Sequence, residues 1–74
     1  MEDGIVRISA RNTLRGIVRS IEPGAVNSEI TLEIAPAITV TSIITNDAVK
    51  DLGLKVGQPA YAVIKASSVM IGVD

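Results

Sequence analysis

Ala25-Val26-Asn27-Ser28-Glu29-Ile30-Thr31-Leu32-Glu33-Ile34 changes character at every step. Val26, Ser28, Ile30, Leu32 and Ile34 fall on one side, and Asn27, Glu29, Thr31 and Glu33 on the other. A period of two belongs to a β-strand with one face on a core and the other toward water or a partner. The same β-branched vocabulary continues in both directions. Upstream, Glu22-Pro23-Gly24 signals a turn. Residues 14–21 read as the strand before it, with Gly16 as a bulge or a point of close approach. A polar connection over residues 10–13 separates that strand from a first short one at residues 4–9. Downstream, Pro36 interrupts pairing, and residues 38–44 resume it.

After Thr45 the pattern changes. Thr45 or Asn46 suits a helix N-cap, and Asp47 suits the first turn, where a carboxylate favours the helix dipole. Ala48-Val49-Lys50-Asp51-Leu52 fills one or two turns, and Gly53 fits the position just past the helix end. So short a helix does not persist alone, so Val49 and Leu52 are expected to dock on the sheet. Lys55-Val56-Gly57-Gln58-Pro59 reads as a turn. Residues 60–65 and 69–73 read as the last two strands, separated by Ala66-Ser67-Ser68. The expected fold is all-β: a small OB-like Greek-key barrel of about five to six strands with one short helix. No linker or repeat divides the chain, so residues 1–74 are expected to form one domain.

The chain has 74 residues, a length at which a single core is thin and association or cross-linking commonly adds stability. Cysteine and histidine are absent and Tyr61 is the sole aromatic. Disulfides, thiolate chemistry and the common zinc sites are thereby excluded. With Ile, Val, Leu and Ala abundant and mean hydropathy positive, oligomerisation is the remaining way to bury apolar surface. Net charge is −1 with no basic run. A nucleic-acid module would show a basic patch, and a single-strand binder aromatic platforms. No apolar stretch is long enough for a membrane helix. The start, Met1-Glu2-Asp3-Gly4, lacks the features of a secretory signal, so a cytoplasmic location is expected.

Enzyme chemistry finds little support. The usual general base and the strongest nucleophile are missing. Lys65 with Ser67 or Ser68 could form a Ser–Lys pair, but no oxyanion-hole motif accompanies it. The glycines form neither a P-loop nor a dinucleotide fingerprint, and Glu29 and Glu33 suit a solvated face. Two segments stand out instead: Ser9-Ala10-Arg11-Asn12 and Lys65-Ala66-Ser67-Ser68. Each joins a cation to hydroxyls and small residues that admit a ligand to backbone N–H groups. Hydroxyl and amide donors with one or two cations are what a tetrahedral oxyanion requires. Thr45 adds a third donor position. The same residues also suit structural tasks, with Ser9 and Thr45 as caps and Arg11 and Lys65 as solvated surface cations. Residue types alone leave both uses open.

The order of the blocks narrows the choice. Ser9-Ala10-Arg11-Asn12 with Leu14 and Gly16, then Gly24-Ala25-Val26-Asn27-Ser28-Glu29, resembles the first half of the molbindin (Mop) family, a free-standing molybdate-binding domain of TOBE-like type. Ile44-Thr45, Leu52-Gly53-Leu54 and Val56-Gly57 resemble its third block. Ala62-Val63-Ile64-Lys65-Ala66-Ser67 with Val69-Met70 resembles its last. The resemblance implies a hexamer of three dimers that binds molybdate or tungstate between subunits and catalyses nothing. It carries over Ser9, Arg11, Thr45, Lys65, Ala66 and Ser67 as binding positions. Lys65 then supplies the main charge, Arg11 chiefly its backbone N–H, Ser9, Thr45 and Ser67 their hydroxyls, and Ala66 its amide. No protein side chain is expected to ligate the metal directly, and no further cofactor is implied. Intracellular storage or buffering of the oxyanion is the task implied.

Two departures stand against the family pattern. Ala48 occupies a position where some relatives carry serine, which removes a hydroxyl donor but not the backbone amide. Ala35-Pro36-Ala37 replaces a glycine-rich turn. Two rival functions make different demands. An OB-like nucleic-acid module calls for basic and aromatic surface, whereas a purely structural oligomerisation module calls for the same assembly with no ligand.

Overall fold

The computed structural model describes residues 12–74; the expected first strand at residues 4–9 lies outside them. Four strands, β1 (Asn12–Pro23), β2 (Asn27–Ala35), β3 (Ile38–Thr45) and β4 (Pro59–Ile64), form one antiparallel sheet in the order β3-β2-β1-β4. Three hairpin-connected strands with the fourth returned beside the first make a Greek key. One helix, α1 (Asn46–Leu52), connects β3 toward β4, and a 3₁₀ turn, Ala66–Ser68, follows β4.

β1 organises the sheet because it serves two partners in succession. Its first half pairs with β4, from Asn12 opposite Ile64 to Ile17 opposite Pro59. Its second half pairs with β2, from Ile17 opposite Glu33 to Pro23 opposite Ser28. The register slips between Val18 and Ser20, leaving Arg19 as the extra residue of a bulge, a device that bends a strand and increases its twist. Val18 instead exchanges backbone hydrogen bonds with the loop before β4, donating to Gln58 O (2.9 Å) and accepting from Gly57 N (2.7 Å). Gly16 permits the curl: a Cβ there would sit 2.6 Å from the Glu33 carbonyl oxygen. It is thus the close-approach point, and the bulge falls three residues later.

The alternation that opened the sequence analysis sets the core. Ser28, Ile30 and Leu32 are buried, joined by Val18 and Ala62. Val26 is exposed, beyond the end of the packed face. Ile21, Ile34, Val40, Ile44, Val49, Leu54 and Ala60 pack around the buried residues in part. Among the described residues only Val18 is wholly inaccessible, so the core they form is thin, as the length implies.

α1 ends as its sequence specifies. Gly53 is left-handed (φ 64°), and its N–H donates to Lys50 O while Leu54 N–H donates to Val49 O. This pairing is a Schellman motif, and its two apolar members, Val49 and Leu54, both pack on the core. Leu52, expected to dock beside Val49, is instead 65% exposed at the rim of the concave face. The last expected strand, residues 69–73, is also corrected. It forms no strand in the structure, since a strand needs a ladder partner and none is present among the described residues.

Candidate functional site

Thr45 closes β3, opposite Asn27, and is the N-cap of α1. Its extended backbone (φ −70°, ψ 154°) turns the side chain back onto the helix. Oγ1 accepts from Ala48 N at 3.0 Å. That bond uses a lone pair and leaves the hydroxyl hydrogen to donate elsewhere. It also engages the Ala48 amide, which sequence reasoning had left free for a ligand. Asn46, the other capping candidate, works elsewhere: its Nδ2 donates to Gly24 O at 3.0 Å and its Oδ1 accepts from Ser28 Oγ. The Ser28 bond satisfies the one buried polar side chain among the described residues, and the Gly24 bond ties the β1–β2 turn to the start of α1. Sequence reasoning missed this role of Asn46. The available signal was Ser28, a hydroxyl on an otherwise apolar strand face, which requires a buried partner.

Lys65, Ala66 and Ser67 lie together just past β4. Lys65 is extended (φ −66°, ψ 139°) and starts the 3₁₀ turn. Its carbonyl accepts from Ser68 N at 2.8 Å, and that of Ala66 from Val69 N at 3.3 Å. The turn uses those carbonyls and leaves the Ala66 and Ser67 N–H groups, at its beginning, without acceptors among the described residues. All three residues are exposed. Among the described residues the ion pair is Arg19 with Glu33 on β1 and β2, so Lys65 has no carboxylate partner there. One turn therefore presents an ammonium, a hydroxyl and two amide donors. Ser9 and Arg11 lie outside the described residues.

Thr45 is not brought to this turn. It stands beside the Pro23 end of β1, and Lys65 beside the Asn12 end. β1 is 12 residues long, roughly 35 Å of contour at about 3.3 Å per residue. A hydrogen bond reaches only about 3 Å. One small anion thus cannot touch both Thr45 and Lys65 of the same chain.

Among the described residues no group of three or more His, Cys, Asp or Glu is placed to hold a metal ion. No helix there is long and apolar enough to cross a membrane.

Comparison with known proteins places this geometry. The TOBE domain model matches residues 8–71. A relative from Haemophilus influenzae, named a probable molybdenum-pterin-binding protein, is 49% identical over 69 residues, 93% of this chain and 100% of the relative. The solved structure of MopII from Clostridium pasteurianum is 47% identical, covers 89% of this chain and 98% of its own, and superposes with a TM-score of 0.83. That of the cytoplasmic molybdate-binding protein ModG, with molybdate bound, is 54% identical with a TM-score of 0.87; it covers 93% of this chain, which spans 49% of its length. Matched by the TOBE model along most of its length, and by free-standing relatives with the same curled, OB-like half-barrel, the chain belongs to the TOBE-domain family, in its molbindin (Mop) branch.

Proposed function

We propose that this protein binds molybdate, with tungstate as a close competitor, at sites shared between subunits of a homo-oligomer, and that it performs no catalysis. The observation that carries the proposal is the placement of the Lys65–Ser67 donor turn at one end of β1 and of the Thr45 hydroxyl at the other. The first is suited to an oxyanion, the second adds a hydroxyl donor, and the two cannot join within one chain. Association of copies places the Thr45 end of one against the Lys65 end of another. Asn12, which follows Arg11 in the sequence, faces Ile64, the residue before Lys65. In the proposed site Lys65 balances charge, Ser9, Thr45 and Ser67 donate hydroxyl hydrogens, and Ala66 and Arg11 donate backbone amides. The assembly proposed is a hexamer of three dimers, each chain a single domain, working in the cytoplasm to store or buffer the oxyanion without nucleic-acid or membrane partners.

Selectivity follows from size. Sulfate has the charge of molybdate but shorter bonds, so a cavity fitted to molybdate leaves some donors unpaired. Each unpaired buried donor costs about 1–3 kcal/mol, and about 1.4 kcal/mol is tenfold in affinity. One or two such donors give roughly 10- to 1000-fold discrimination. Molybdate and tungstate match in size and charge, and hydrogen bonding separates them poorly.

The test compares two lysines by equilibrium dialysis against molybdate. Lys65→Ala is expected to weaken binding at least tenfold. Lys55→Ala, in the loop between α1 and β4, is expected to leave it unchanged. Equal effects from the two would overturn the site assignment, and a wild-type protein that takes up no molybdate would overturn the function.

A further inference from the structure

α1 is seven residues long and has no buried side chain. Val49 packs on the core only in part, and so short a helix does not hold itself together in water. Its first turn nevertheless carries the Thr45 cap. Oγ1 must stay on Ala48 N (3.0 Å) for the hydroxyl hydrogen to keep one direction. Packing does not fix that turn; hydrogen bonds do, and they meet at Asn46. Its backbone N–H donates to Val26 O at 2.8 Å, its Nδ2 donates to Gly24 O at 3.0 Å, and its Oδ1 accepts from Ser28 Oγ. The receiving turn is itself closed by Gly24 N donating to Asn27 O at 2.7 Å, and Asn27 stands opposite Thr45 in the ladder.

The partners call for an amide at this position. Gly24 O can only accept, so it takes the NH₂ group, and the Ser28 hydroxyl then donates to the side-chain carbonyl. Ser28 is 3% exposed, so its hydroxyl has no ready exchange with water and depends on that acceptor. Aspartate would keep the Ser28 bond, lose the Gly24 bond, and set a negative charge one residue from a hydroxyl offered to an anion. Alanine would lose both bonds and leave the backbone tie to Val26 alone.

We infer that Asn46 is a positioning residue of the oxyanion site: without touching the ligand, its side chain holds the Thr45 hydroxyl in place by tying the start of α1 to the β1–β2 turn. The inference rests on the place of Thr45 in the site proposed above. Without the amide, the first turn of α1 frays, the cap on Ala48 N opens, and the Thr45 hydroxyl no longer points one way.

A double-mutant cycle tests this. Ser28→Ala protein is the reference, because Asn46→Ala alone would leave the Ser28 hydroxyl buried and unpaired. Asn46 is half-buried, so water can meet its Oδ1 in that reference. Molybdate affinity is measured by equilibrium dialysis for the reference, for Asn46→Ala and Thr45→Val added singly, and for both together. Asn46→Ala is expected to weaken binding about tenfold, the order of one hydrogen bond to a charged ligand. In the Thr45→Val protein the same change is expected to weaken it by less than about twofold, since the hydroxyl that Asn46 positions is gone. A residue that only stabilises the fold would lower the melting temperature and leave the Kd alone, so a Kd unmoved by Asn46→Ala would overturn the inference. Equal losses in both backgrounds would overturn it too, since Asn46 would then act by a route other than Thr45. A second readout needs no ligand. The Ala48 amide is expected to exchange its hydrogen at least about tenfold faster in the Asn46→Ala protein, with the β2 amides unchanged; an unchanged Ala48 rate would overturn the inference. Should that protein not fold by circular dichroism, Asn46→Ser, which favours the same helix start, takes its place in both measurements. Wild-type protein that takes up no molybdate would overturn the oxyanion function and this inference together. Uptake by the wild type, with no effect of Asn46 in the cycle, would overturn this inference alone.

Discussion

Replacing Gly16 with alanine tests how the half-barrel is held in its curl. The added Cβ would lie 2.6 Å from the Glu33 carbonyl oxygen and 2.8 Å from Ile34 Cδ1, where ordinary contact begins at 3.4 Å. The isoleucine methyl can rotate away. The carbonyl cannot, because Glu33 pairs with Ile17 on one side and Thr39 on the other. Moving it the missing 0.8 Å (3.4 minus 2.6) disturbs both ladders at once. Overpacking of this kind costs about 1–3 kcal/mol, and the lost freedom of the unfolded chain returns about 0.4–1 kcal/mol. A net loss of roughly 1–2 kcal/mol lowers the melting temperature of so small a domain by about 4–16 °C. The assay is thermal unfolding by circular dichroism at fixed protein concentration, since an oligomer's melting point depends on it. A Gly16→Ala protein that melts at or above the wild type would refute the close-approach account.

Three further outcomes are expected. Ala37 is the one non-glycine residue with positive φ (64°) among the described residues, a conformation costing about 1–2 kcal/mol. Ala37→Gly should therefore raise stability by roughly 0.5–1 kcal/mol after the added entropy of the unfolded chain, measurable by urea denaturation. Thr45→Val removes the cap on Ala48 N and should cost about 1 kcal/mol while weakening molybdate binding, whereas Thr45→Ser should preserve both; a Val variant that binds normally would remove Thr45 from the site. Molybdate at about 100 times its Kd should stabilise the assembly by about 2.7 kcal/mol, and a melting temperature indifferent to it would argue against the site.

Much of the fold was legible because its rules are local. The alternation from Val26 to Ile34 fixed β2 and its inward face, Pro23-Gly24 the first hairpin, and Gly53 the end of α1. What escaped depends on partners distant in the chain. Arg19 became the bulge because Val18 turned its backbone groups to the loop at Gly57 and Gln58, and no signal at residue 19 announces that. Residues 69–73 have a strand's composition but no strand's hydrogen bonds, since composition does not supply an edge. Leu52 was expected to dock from its spacing with Val49, yet a helix of seven residues turned only one of the two onto the core. For the candidate site, residue types identified Lys65, Ala66 and Ser67 as a cluster, and the 3₁₀ turn does gather them. The separation of Thr45 from that cluster follows only from strand register, and it is what makes a single-chain site untenable.

The most direct test of the central claim is isothermal titration of ligand-free protein with molybdate, with sulfate titrated in parallel. The account predicts saturable binding of molybdate, and binding of sulfate at least tenfold weaker. A protein that yields no molybdate binding, or binds sulfate equally well, would contradict it.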